Sequence, residues 1–166
     1  SKRKKLSDYG IQLFAKQKLK GYYGNISEKQ FRKYYDKALK KKGDTSEHLV
    51  ALLETRLDAI IYRMNIAPTV FSARQLINHG HIEVNNRRVT IPSFMVSTKD
   101  IICLRKKSLQ HPVVLESTDK AIKEVPDYLE FDKQKIVGRL IRIPKLSDIP
   151  YPVQMEPNLV VEFYSR

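Results

Sequence analysis

LETRLDAIIYRMNIAPTVFSARQLINHGHIEVNNRRVTIPSFMV, residues 53–96, changes its hydrophobic period partway along, and that change decides the fold. Leu57, Ile60, Ile61 and Met64 recur at helical spacing and need burial. After Ala67-Pro68, Thr69 is placed to cap a short helix, Val70 to His79, with Ala73, Leu76 and Ile77 inward and Gly80 as its stop. The period then falls to two. Ile82 and Val84, followed by Val89 and Ile91, alternate with polar residues around Asn85-Asn86, a two-residue hairpin pattern.

The polar side of this block concentrates one kind of chemistry. Arg56 and Arg63 are two helical turns apart and so share a face. Ser72, Gln75 and His79 form a polar stripe with Arg74 on its flank, and His81, Arg87 and Arg88 follow at the hairpin. Guanidinium and amide groups on a helix pair bind phosphates bidentately and can probe the minor groove of an RNA helix. Arginines at helical spacing are more often a plain solvated face. Their clustering around one turn, and the charge of the whole chain, shift the balance.

Working outward, Leu49, Leu52 and Leu53 extend a helical pattern back to Thr45 or Ser46, and Thr55 with Asp58 reads as a capping box that predicts a break near 55. Asn65 closes that helix, since Asn tolerates the left-handed conformation. Leu6-Ser7-Asp8 offers an N-cap for a first helix carrying Ile11, Phe14, Ala15, Lys18 and Leu19, stopped by Gly21 and Gly24. Ser27 and Gln30 box a second, running through Phe31, Tyr34, Tyr35, Ala38 and Leu39 to Gly43. Downstream, residues 100–104 read as a strand and Pro112 opens a helix to about Lys123. Tyr128 to Phe131 and Ile136 to Ile143 read as further strands. Residues 158–164 suit a strand or a helix. Helices followed by strands predict an α+β fold.

Composition narrows the partner. Against 18 acidic residues the chain sets 31 Lys plus Arg, a formal charge of +13. Such self-repulsion is relieved by a polyanion, with nucleic acid the first expectation and an anionic membrane the second. A single cysteine, Cys103, allows no internal disulfide, sits among Ile101, Ile102 and Leu104 as a buried small hydrophobe, and points to a reducing compartment. No stretch approaches the roughly 18 apolar residues of a membrane helix. Ser1 in place of an initiating Met leads to the expectation that further residues precede it.

The block at 53–96 resembles the small RNA-binding module of the S-four family of small-subunit ribosomal proteins, a module shared with several RNA-modifying enzymes. The flanks LSDYGIQLFAKQKLKGYYG (6–24), VPDYLEFD (125–132), SDIPYPV (147–153) and LVVEFYSR (159–166) resemble the ribosomal family itself, so the likeness spans nearly the whole chain. It implies a primary binder of small-subunit ribosomal RNA that nucleates a multi-helix junction in early assembly. It further implies contact with neighbouring small-subunit proteins, a link to decoding accuracy, and a place near the path by which mRNA enters. The resemblance also implies that the module is inserted into a helical domain, residues 1–53 plus about 144–166 forming one unit and 54–143 the other, and that the last segment is helical.

Carried over by position, the implied RNA contacts are Arg56, Arg63, Ser72, Arg74, Gln75, His79, Gly80, His81, Asn85, Arg87 and Arg88 in the module. In the helical domain they are Lys2, Arg3, Lys4, Lys5, Lys16, Lys18, Lys20, Tyr22 and Arg32, with Tyr22 and Tyr23 serving either as base-stacking rings or as core. Asn65 and Asn86 stand where the family more often has Gly. Some family members hold zinc through cysteines near the N-terminus. Nothing in these residues assigns a metal or a cofactor, and none is expected. The location implied is the cytoplasmic ribosome, with an organellar ribosome as the alternative.

Two rivals remain. A free-standing regulator, or the accessory module of an RNA-modifying enzyme such as a pseudouridine synthase, would use the same block, but a catalytic domain needs roughly 150 or more further residues. Asp127, Glu130 and Asp132 alternate with apolar residues as a solvent face would, and the histidines have no nucleophile at motif spacing, so no enzyme is expected. A DNA-binding helix-turn-helix suits the helix pair but not the hairpin that follows.

Overall fold

The structure is a computed structural model that describes residues 7–121 and 123–166. Lys2, Arg3, Lys4 and Lys5 lie outside the described residues. The chain divides into two compact units, Ser1–Leu53 with Tyr151–Arg166, and Glu54–Pro150.

In the first unit, α1 (Asp8–Tyr22), α2 (Glu28–Leu39) and most of α3 (Thr45–Glu54) are joined by α7 (Pro157–Tyr164) from the other end of the chain. Ser7 Oγ accepts from Gly10 N–H and Ser27 Oγ from Gln30 N–H, so both helices start on the caps the sequence offers. Helix α1 passes through Gly21 and stops where Gly24 and Asn25 take positive φ. Helix α2 ends at Leu39, short of Gly43, because Gly43 turns the chain back at φ 108° and the Lys42 carbonyl is held by the His48 ring. The last segment is helical, and its rings explain why. Tyr164 stacks on Tyr35 at 4.9 Å and donates to Glu28 at 2.7 Å.

In the second unit, α4 (Leu57–Arg63) and α5 (Val70–Asn78) pack on a five-stranded antiparallel sheet. Its strands are β1 (Ile82–Val84), β2 (Arg87–Arg88), β3 (Ile101–Leu104), β4 (Leu129–Asp132) and β5 (Val137–Leu140), in the order β2-β1-β3-β5-β4. Leu57, Ile60, Ile61, Met64, Leu76, Ile77, Ile82, Ile102 and Leu140 build one core. Gly138 is required at the centre of β5, since a Cβ there would meet Met64 Cε at 2.4 Å and the Glu130 carbonyl at 2.9 Å. Helix α6 (Pro112–Asp119) is shorter than expected. The chain beyond it serves as a partner instead, the Lys123 carbonyl accepting from Asn65 Nδ2 at 3.0 Å.

The break between α3 and α4 falls where expected but for a different reason. The N-cap of α4 is Arg56 rather than Thr55, and no side chain caps the helix there. The orphan amides of Leu57 and Asp58 instead donate to the carbonyls of Phe94 and Pro92, at 2.9 and 3.1 Å, and Val96 N–H donates to the Thr55 carbonyl. The same segment explains the short β2. The chain leaves the sheet after Val89 to reach α4, which leaves Ile91 exposed.

Candidate nucleic-acid interface

Helix α5 is the centre of the site. Thr69 Oγ1 accepts from Ser72 N–H at 2.9 Å to start it, and Val70, Ala73, Leu76 and Ile77 are buried against the core. Gln75 and His79 are left exposed and Ser72 partly so, which is the expected stripe; Asn78 is exposed beside it. At its end Gly80 takes φ 78°, and the Arg88 side chain lies directly across it: a Cβ on Gly80 would come within 3.0 Å of Arg88 Cδ. Gly80 is buried, so its part is to let the hairpin arginine reach the helix face.

The hairpin turn has Asn85 at φ 53° and Asn86 at φ 65°, the conformation of a two-residue turn that twists with its strands. Exposed Arg87 and Arg88 follow it. Asn85 is exposed, yet its side chain is already committed. It donates to Asp100 at 2.8 Å and accepts from Ile101 N–H at 2.9 Å, so it locks the turn rather than offering a free amide.

Arg56 and Arg63 require a correction. Both are buried, at 2% and 4% exposure, where exposed guanidiniums were expected. Arg56 makes two bonds to Asp58, at 3.0 and 2.9 Å, while Arg63 pairs with Glu54, which also accepts from Tyr128 Oη at 2.7 Å. The physical reason is solvation: a carboxylate with no exposed surface needs cations and hydrogen bonds around it. Asp58 takes a further bond from Arg74 Nε at 3.0 Å. The triad of Arg56, Asp58 and Arg74 keeps one net positive charge, and Arg74 is the member that reaches solvent, its side chain 23% exposed.

The structure adds residues that the sequence reading passed over. Phe71 is 63% exposed on α5 with the Arg74 guanidinium 5.7 Å from its ring centre, an aromatic face beside a fixed cation. Arg105 N–H donates to the His81 carbonyl at 2.8 Å, which brings exposed Lys106 and Lys107 to the same edge. Only the β1–β3 register, Ile82 opposite Leu104, makes that proximity visible.

In the first unit the expected RNA face is partly tied up. Lys16 is buried and bonded to Glu28 at 2.8 Å, with its ammonium over the Phe163 ring, which corrects its place among exposed contacts. Lys18 donates to the Gln154 carbonyl at 2.7 Å, and Lys20 lies 3.9 Å from Glu28. Tyr23 is buried, bonded to Tyr151 through the two hydroxyls at 2.6 Å, and Tyr22 packs edge-on to both rings. Tyr23 is core, while Tyr22 stays partly exposed. Arg32 stays exposed, and Lys29, Lys33, Lys37 and Lys40 share its side of α2, a stripe readable from their spacing.

Among the described residues no group of three or more His, Cys, Asp or Glu is placed to hold a metal, and no helix is long and apolar enough to cross a membrane.

Comparison with known proteins covers both units. Residues 1–54 match the family described as ribosomal protein S4/S9 N-terminal domain, and residues 55–102 match the S4 domain. Over 165 residues the chain is 61% identical to small ribosomal subunit protein uS4 of Rhodospirillum rubrum, covering 99% of this chain and 81% of that protein. It is 59% identical over 165 residues to the uS4 protein of Gluconacetobacter diazotrophicus, covering 99% and 80%. With the uS4 protein of Granulibacter bethesdensis it shares 62% identity over 162 residues, covering 98% and 79%.

Proposed function

The chain belongs to the family of small ribosomal subunit protein uS4, and from that premise we propose that it is a structural constituent of the small subunit and a direct binder of its ribosomal RNA. It holds a multi-helix junction during early assembly, touches neighbouring small-subunit proteins, and contributes to decoding accuracy beside the path by which mRNA enters. The role is structural, with no chemical step assigned to any residue. Its place of action is the cytoplasmic ribosome.

The observation that carries this reading is the meeting of Arg88 with the end of α5 across Gly80. That contact joins the hairpin's two exposed arginines to the stripe of Ser72, Gln75 and His79, with Arg74 fixed on its flank. Phosphate-binding cations and base-probing amides then lie on one face of the module, as recognition of a folded RNA requires. The framework beneath is rigid because its charges are buried and paired. RNA binding therefore orders few side chains and loses little entropy in doing so.

Chemical footprinting on naked small-subunit RNA, with and without the chain, tests the proposal. Protection confined to one junction, undisturbed by excess duplex DNA, is the expected result. Equal competition by duplex DNA, or no protection at modest ionic strength, overturns it.

A further inference from the structure

Three imidazoles from three separate elements meet at one edge of the α5 face. His79 is the C-cap of α5, His81 leads into β1, and His111 is the N-cap of α6. The His81 and His111 ring centres lie 4.6 Å apart, and those of His79 and His81 6.4 Å apart. His79 and His111 also line a cavity of about 240 Å³ together with Ser72, Gln75, Leu76 and Val113. None of these six residues is a carboxylate.

The rings are oriented by their own hydrogen bonds. His111 Nδ1 accepts from Val113 N–H at 3.2 Å, and His81 Nδ1 is bonded to the Ser108 hydroxyl at 2.7 Å. With Nδ1 accepting, neutral His111 carries its proton on Nε2, where it can donate to a ligand. The groups that act on His81 are His111 from the start of α6, His79 from the end of α5, and Arg105 from the turn after β3. All three are cationic when protonated. Burial, with these neighbours, holds the His81 imidazole below its ordinary value of 6.5. Arg88, lying across Gly80, is a further cation at this edge.

Such a cluster is frustrated in the free protein, since protonating one ring opposes the next. An anion seated among the rings removes the opposition. Resting on the reading that this surface meets ribosomal RNA, we propose that the notch between α5 and the start of α6 seats one backbone phosphate of that RNA, with His111 donating through its Nε2–H, His79 beside it and His81 behind them, and a proton taken up by the His79–His81 pair on binding. Ser72 and Gln75, on the same stripe of α5 as His79, supply neutral hydrogen bonds. The signs agree: a phosphate stabilises imidazolium, so the bound complex holds more protons than its parts, and affinity rises as pH falls toward the imidazole range.

RNA affinity measured at fixed salt between about pH 8 and about pH 5.5 tests this on the parent, His111→Gln, and His81→Gln combined with His111→Gln. The parent is expected to bind roughly three- to tenfold more tightly at the acid end. The double variant should lose most of that gain, with His111→Gln in between. The single variant keeps the test open if the double variant fails to fold. A flat parent profile, or the same profile in parent and His111→Gln, overturns the proposal while leaving the ribosomal reading intact. No binding by the parent at any pH overturns both. Imidazole Cε1–H resonances followed by NMR separate the sources of phosphate. RNA should raise the His81 titration further than inorganic phosphate does, and an equal rise with inorganic phosphate alone overturns the RNA assignment.

Discussion

Arg74 Nε donates to Asp58 at 3.0 Å, so a carboxylate with no exposed surface sets the direction of a cation at the surface. Asp58 can do this because Arg56 holds its other edge and the Ala59 amide donates to Oδ1 at 2.8 Å. The interface is thus organised from within.

Replacing Asp58 with Asn keeps the shape and removes the charge, leaving Arg56 buried without its counter-ion. Unfolding in urea should show a loss of about 3–5 kcal/mol, with RNA affinity reduced as Arg74 loses its anchor. An unchanged midpoint would mean that the triad contributes nothing to the fold.

Arg87→Ala and Arg88→Ala should each make log K less steep against log salt by up to about one unit, with stability unchanged. Arg63→Ala should behave the other way, unfolding more readily because Glu54 is left buried without its cation. A changed salt slope in a stably folded Arg63 variant would return that residue to the RNA face.

Phe71→Ala removes an exposed ring that the core does not use. If a base stacks there, binding weakens by about 1–3 kcal/mol with no change in melting temperature. Full affinity in the variant would identify the ring as a solvated surface residue.

Lys123 sits half-buried over the Tyr62 ring, and desolvation, with Arg63 nearby, lowers its pKa from 10.5 to about 8. A depressed lysine loses its proton first in the folded state, so its penalty is full below about pH 8 and fades as pH rises toward 10.5. Lys123→Met should therefore be more stable than the parent near neutrality, and the difference should shrink through that window. A difference that grows with pH would reverse the assignment.

Helix starts were legible wherever a Ser or Thr side chain supplied the cap, as at Ser7, Ser27 and Thr69, because the cap and its amide are three residues apart. The start of α4 was not legible in this way, since its partners Pro92 and Phe94 lie far along the chain. The α5 stripe followed from period alone. Arg56 and Arg63 were misplaced because seven-residue spacing says that two side chains share a face, not whether that face is wet. Their carboxylates, Asp58 and Glu54, stand two and nine residues away, outside the three- and four-residue spacings that mark an ion pair within one helix. The meeting of His111 with His81 depends on tertiary packing that no local pattern encodes.

Because the first two amides of α4 are answered by the distant carbonyls of Phe94 and Pro92, that helix cannot be completed from its own neighbourhood. The segment that returns after Val89 and the helix must arrive together. Hydrogen exchange at Leu57 and Asp58 should then report the same opening event as the hairpin, making the RNA-facing block one cooperative piece rather than a helix pair with an appended ribbon.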